Sequence, residues 1–246
     1  MPGVGASKPL EIDIVRKVYR TSDGRAVEAV RNLKFSIEPH TFVSLIGPSG
    51  CGKTTTLRII LGLDRDYEGR IQLDYSGLAV GVAFQEPRLL PWRTVEENVR
   101  LALRSYGQAR PLDSLFADLA LDDWRDRYPG ELSLGMARRA ALARALAVEP
   151  DLLVLDEPFA SLDERGAVEL RALVSRVVAK RRTTVILVTH NVREALQLAD
   201  RVILLTARPT GILADIPVTT GRDRRTDDWI EKERRDLARR FATLVE

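Results

Sequence analysis

Gly47-Pro48-Ser49-Gly50-Cys51-Gly52-Lys53-Thr54 is the stretch on which the reading of this chain turns. It fits G-x-x-x-x-G-K-[ST] at every fixed position. Gly47, Gly50 and Gly52 let the backbone turn tightly, so that successive N–H groups point inward around a chain of phosphates. Lys53 places a positive charge on the outer phosphates. Thr54 offers a hydroxyl to Mg²⁺, and Thr55 beside it is expected to bind the nucleotide as well. The run Thr41–Ile46 reads as the strand that leads in, and residues 53–63 as the helix that leads out. Its N-terminal dipole faces the same anion. A nucleoside triphosphate site is the expectation, with Cys51 only a small loop residue.

A second stretch complements the first. Leu152-Leu153-Val154-Leu155 is a short apolar run that ends in Asp156-Glu157. A buried parallel strand ending in two carboxylates can aim both at a loop on a neighbouring strand. Asp156 would then hold Mg²⁺, directly or through water, and Glu157 would polarise the water that attacks the γ-phosphate. Two adjacent acids also suit a solvated turn, and pairing them with the phosphate loop favours the chemical reading.

Outward from these motifs the chain alternates. Glu11–Tyr19, Leu33–Ile37, Gly69–Tyr75 and Ala79–Phe84 read as strands, with turns at 21–24 and at Pro39-His40. The first ten residues read as a loose arm. Residues 94–147 read as mainly helical. Thr94 with Glu97 forms a capping-box pattern, and residues 112–121 and 133–148 are further helices. Helix 164–181, strand 184–188, helix 192–198 and strand 201–205 then repeat the strand–helix–strand pattern of a parallel sheet. The C-terminal stretch of about 226–245 reads as a charged helix, with Ile230, Leu237, Phe241 and Leu244 recurring at helical spacing and Trp229 adding bulk.

Composition narrows the class. The chain has 246 residues, 45% apolar and 30% charged, which suits one domain with a sizeable core. Lys+Arg 38 against Asp+Glu 35 is close to balance and gives no mandate for nucleic acid. The single cysteine excludes an intrachain disulfide. No stretch approaches the ~18 apolar residues of a membrane span, and the N-terminus lacks the layout of a secretory signal.

With these motifs in order, the chain resembles the ATP-binding subunit of ABC transporters over nearly its whole length. Phe84-Gln85-Glu86-Pro87 carries the family's Q-loop glutamine. Leu132-Ser133-Leu134-Gly135-Met136 stands at the signature, Ser161-Leu162-Asp163 at the D-loop and Thr189-His190 at the switch histidine. The resemblance implies an α/β fold: a P-loop NTPase core with a mostly parallel sheet, an N-terminal antiparallel β subdomain and a helical subdomain inserted at about 87–150, all within a single domain of 1–246. It implies a head-to-tail pair of subunits, with ATP held between the phosphate loop of one and Ser133, Gly135 and Asp163 of the other. Ser133 is a good N-cap, and the N–H groups of Gly135 and Met136 are expected to face the γ-phosphate. Gln85 is expected to sense Mg²⁺ and the attacking water, and His190 to orient that water. Tyr19 matches the aromatic that stacks on adenine, although a strand-end tyrosine also suits plain packing.

The signature departs from the family pattern, because Leu134 replaces a glycine and Arg138 stands where Gln is usual. If Leu134 needs a positive φ, its Cβ costs on the order of 1 kcal/mol and weakens the contact with the partner subunit. The run from Phe84 to Trp92, and the Thr206–Pro209 stretch, resemble importers of nitrate, sulfonates such as taurine, and similar small solutes. Leu89, Leu90 and Trp92 could form an apolar groove for a helix of a membrane permease; burial inside the helical subdomain is the alternative. The implied partners are permease subunits, a second ATP-binding subunit and, indirectly, a periplasmic or surface solute-binding protein. The implied place is the cytoplasmic face of the inner membrane, peripherally bound. A DNA-repair ATPase of the same superfamily would insert long coiled coils before the signature, and none is visible. A P-loop kinase would lack the Leu-Ser-x-Gly stretch, and a GTPase would in addition carry a guanine-reading Asn-Lys-x-Asp, which is absent.

Overall fold

A computed structural model describes residues 8–73, 78–107 and 109–241. In chain order the elements are β1 (Leu10–Arg20), β2 (Ala26–Ile37), β3 (Phe42–Ile46), α1 (Lys53–Ile60), β4 (Glu68–Gln72) and β5 (Val80–Ala83). They continue with α2 (Val95–Ser105), α3 (Asp113–Asp118), α4 (Leu134–Leu146), β6 (Leu152–Asp156) and α5 (Glu164–Ala179). The last are β7 (Thr184–Thr189), α6 (Val192–Leu198), β8 (Arg201–Leu205), β9 (Ile212–Pro217) and α7 (Asp227–Arg240). The chain divides into two compact units, one of residues 75–185 and one of 7–74 with 186–246, and β7 runs across the boundary.

In the second of these units β1 pairs antiparallel with β2 on one side and β4 on the other. The β1–β2 turn closes with Gly24 N–H donating to Thr21 O at 2.9 Å. Leu10, Ile12 and Ile14 alternate inward, the period of a sheet with one wet face. The same unit carries the order β7-β3-β8-β9, in which β3 and β8 are parallel and β9 returns antiparallel. Every residue of β3 and β7 is buried, as expected of strands covered on both faces.

In the first unit β5 and β6 are parallel, with Ala83 opposite Leu155. α2 opens on the expected capping box of Thr94 and Glu97. α4 is alanine-rich and packs on β5 so closely that a Cβ on Gly81 would lie 2.2 Å from the Ala145 carbonyl oxygen. Buried Asn98 holds the loop before α2, accepting from Leu90 N–H at 2.7 Å and donating to the Leu90, Arg93 and Thr94 carbonyls.

The sequence reading missed residues 26–32 of β2 and all of β9. It also made α1 and α3 too long: Gly62, with φ of 67°, ends the first helix. The expected arm is shorter than ten residues, because Leu10 is buried in β1, and its first seven residues lie outside the described residues. Leu244 of the charged helix also lies outside them, while Ile230 and Leu237 are buried as expected. Among the described residues no helix is long and apolar enough to cross a membrane.

Candidate functional site

The phosphate loop leaves buried β3 and enters α1. Gly50 and Gly52 have φ of 72° and 127°, conformations open to glycine and costly for other residues. A Cβ on Gly52 would also fall 2.4 Å from Thr210 Oγ1 and 3.0 Å from Ala29 O. Buried Lys53 turns back into the loop and donates from Nζ to Gly47 O at 2.8 Å and Pro48 O at 3.0 Å. The loop therefore curls around an ammonium. Thr54 is exposed beside it, and Ser49 with Gly50 forms the exposed rim. Cys51 is buried.

The helices α2, α4, α5, α6 and α7 each begin with a side-chain cap, whereas α1 begins at Gly52, which has none to offer. The first-turn N–H groups of α1 and the charge of Lys53 thus point to an anion. A second brace comes from the loop after β8. Arg208 donates to Gly50 O at 2.8 Å, and the Thr210 hydroxyl donates to Cys51 O. Sequence reasoning missed Thr210, whose only signal was a polar residue just before a strand.

Tyr19 lies near the end of β1 beside α1, its hydroxyl 3.1 Å from Asp64 Oδ2 and 3.4 Å from Thr55 Oγ1. Under the ring lies the Lys17 ammonium, 4.6 Å from its centroid. Lys17 is buried and donates to Asp64 Oδ1 at 2.9 Å and to Asp66 O. Burial opposes both charges. The Lys17 bond, the Asp66 N–H and the Tyr19 hydroxyl overcome it and hold the Asp64 carboxyl below its ordinary range. Burial likewise works against the Lys17 ammonium, and Asp64 and Asp66 overcome it to raise its pKa. Lys17 and Asp64 were invisible as a pair in the sequence.

His190 is exposed at the end of β7. Asn191 caps α6, accepting from Arg193 N–H at 2.9 Å.

In the unit of residues 75–185, Gln85 and Glu157 each stand two residues beyond the matched pair Ala83 and Leu155. Gln85 is exposed, Asp156 is buried and Glu157 is half-buried. Glu157 has φ of 46°, a left-handed conformation costing on the order of 1–2 kcal/mol for a residue with a Cβ. Arg138, buried on α4, donates from Nη1 to Glu157 O at 3.0 Å and to Pro158 O at 2.5 Å. Arg144, further along α4, holds the loop beyond Gln85 through Pro87 O at 2.8 Å and Arg88 O at 2.7 Å. Burial lowers the Arg144 pKa, yet a guanidinium stays charged.

Two signature expectations are corrected. Ser133 does cap α4, but its hydroxyl accepts from Met136 N–H at 3.3 Å, so that N–H is spent on the cap. Leu134 is the first helical residue and is not among the positive-φ residues, so its Cβ carries no backbone strain. Its side chain is exposed. Gly135 follows in the first turn, and Asp163 caps α5 through Gly166 N–H at 3.1 Å. Leu89 and Leu90 are half-buried, and Trp92 is 69% exposed.

Residues 30–160 match the profile of a family described as ABC transporter. The chain belongs to the ABC transporter family. It is 40% identical over 254 residues to the aliphatic sulfonates import ATP-binding protein SsuB 2 of Burkholderia cenocepacia (strain HI2424), covering 100% of this chain and 89% of that protein. It is also 40% identical over 227 residues to SsuB of Bacillus subtilis (strain 168), covering 89% of each. Among solved structures, the ATP-binding cassette MJ0796, a dimer in a post-hydrolysis state bound to ADP and Pi, aligns with a TM-score of 0.73 at 26% identity. The alignment covers 87% of this chain and 100% of that one. The fold of this ABC chain is that of a P-loop cassette, α/β with a mostly parallel sheet and a separate antiparallel one.

Proposed function

We propose that this ABC chain is the ATP-hydrolysing subunit of an importer, and that its solute is an aliphatic sulfonate or a similar small anion. One observation carries the reading: the loop Gly47–Thr54 curls around the buried Lys53 ammonium through two carbonyl bonds and opens into an uncapped helix. Full-length similarity to import ATP-binding proteins supports the transport assignment. The loop N–H groups and Lys53 bind the β- and γ-phosphates, and the Tyr19 ring takes the adenine. Glu157 accepts the proton of the attacking water, and Gln85 and His190 orient that water. Asp156, Thr54 and Gln85 are the residues that would hold Mg²⁺. Bound there, Mg²⁺ would supply charge neutralisation at the phosphates.

The subunit works as a head-to-tail pair, with Ser133, Gly135 and Asp163 of each copy on the nucleotide of the other. The pair sits peripherally on the cytoplasmic face of the membrane. Its permease subunits meet the exposed Trp92 with Leu89 and Leu90, and a solute-binding protein delivers the solute from outside. Nucleic acid is not a partner.

The test is reconstitution of the chain with its co-purified permease in liposomes. Aliphatic sulfonate supplied with the solute-binding protein should raise phosphate release. Lys53→Ala should abolish ATP binding, and Glu157→Gln should keep binding while stopping hydrolysis. Hydrolysis stimulated by DNA and indifferent to permease would overturn the reading.

A further inference from the structure

We propose that Arg138 is a positioning residue for Glu157, acting through the backbone of the corner that carries it. This inference rests on the reading of Glu157 as the base that activates water.

The geometry is specific. Glu157 carries a left-handed φ at the point where the chain leaves β6, and Pro158 follows. A left-handed residue with a Cβ persists only where its surroundings over-determine it. Here one guanidinium nitrogen bonds both carbonyls of the corner, Glu157 O and Pro158 O. The planar guanidinium has a fixed direction of donation, which a flexible ammonium lacks. Arg138 is buried, and it lines a small cavity with Ala83, Phe84, Ala141, Leu142 and Pro158. α4 itself cannot drift outward without opening its close contact with β5 at Gly81. The side chain therefore ties the corner to the helix that Ser133 opens.

Fixing both carbonyls holds the peptide plane on the C-terminal side of Glu157, and β6 holds the plane on its N-terminal side, so the two together set the direction of its Cα–Cβ bond. A general base loses rate steeply with misplacement, whereas phosphate binding by a loop on other elements does not depend on it. Arg138 therefore acts on turnover and not on affinity. The family's usual Gln at this position also offers N–H donors at the end of a shorter arm, which explains why the substitution is compatible with the cassette.

The experiment uses the full chain and ATP, with phosphate release for turnover and a fluorescent ATP analogue for affinity. Arg138→Met keeps the stem and removes every donor. It should lower kcat about ten- to a hundred-fold, the usual cost of losing a supporting shell, with nucleotide affinity within about two-fold of the parent. Arg138→Gln restores a donor and should recover most of the loss. In a Glu157→Gln background, Arg138→Met should change the residual rate little, because residues acting through one another are not additive. An unchanged kcat in Arg138→Met overturns the proposal while leaving Glu157 as the base. So does a parallel loss of kcat and affinity, or a full additional loss in the Glu157→Gln background. Undiminished hydrolysis by Glu157→Gln alone overturns the reading of Glu157, and this proposal with it.

Discussion

The Thr189 hydroxyl donates to the buried Glu194 carboxylate at 2.5 Å and accepts from Asn191 N–H at 3.0 Å. His190 is thus held between two residues that are themselves tied to the first turn of α6. Glu194→Ala removes the acceptor and strands a buried hydroxyl, a loss of about 1–3 kcal/mol. The expected outcome is a lower melting temperature together with slower phosphate release, and ATP affinity close to that of the parent. Calorimetry and a release assay on the same preparation check it. A variant that melts lower but turns over at the parental rate would show that the clamp serves stability alone.

The Lys17–Asp64 pair beneath Tyr19 predicts a pH dependence. The Asp64 carboxyl is held below its ordinary range, so its contribution is whole above the unfolded carboxylate pKa of about 4 and is lost as pH falls through the lower folded value. Lys17 has a raised pKa. Its contribution is whole below the unfolded value of about 10.4 and is lost as pH rises through the higher folded one. Asp64→Asn should therefore lower the melting temperature at neutral pH, by the equivalent of about 1–3 kcal/mol. The gap from the parent should close in acid below pH ~4. Melting curves from pH 3 to 8 test this. A gap that stays constant through acid would contradict the ionised pair.

Leu134 separates what was legible in the sequence from what was not. The motifs fixed the strand–loop–helix at Gly47–Thr54, the acid-tipped strand and the cap at Ser133, because each depends on local residue chemistry. Backbone conformation at Leu134 depends on where α4 starts, and the helix includes it. β9 was missed because Ile212–Pro217 exposes every second residue and ends in proline, a weak strand signal. Lys17 and Thr210 were missed, and Arg138 was noticed only as a departure from the family pattern, for a common reason. Their partners lie far along the chain, and four of those partners are backbone carbonyls, which no side-chain pattern announces.

The same helical start sets the outcome for Leu134→Gly. Glycine relieves no strain here, and it adds the flexibility cost of up to about 1 kcal/mol that glycine brings to a helix. The melting temperature should fall slightly, and ATP hydrolysis by the subunit without its permease should not rise. Phosphate release measured across a range of protein concentrations checks this. A marked increase would reinstate a steric penalty from the leucine side chain.

Thr210 offers the sharpest test of the phosphate loop. It is fully buried, its hydroxyl bonds Cys51 O, and its own backbone is pinned between Ala29 O and Arg31 N–H, each at 2.9 Å. Thr210→Val keeps the shape and removes one donor, leaving the Cys51 carbonyl to lose its partner in a dry place at about 1–3 kcal/mol. Arg208 reaches the neighbouring Gly50 O from an exposed position, where water can replace it. Thr210→Val should therefore weaken ATP affinity severalfold and lower the melting temperature, whereas Arg208→Ala should change both only slightly. Titration with a fluorescent ATP analogue separates them. Equal effects of the two variants would mean that the loop is held by charge at its rim rather than by the buried hydroxyl behind it.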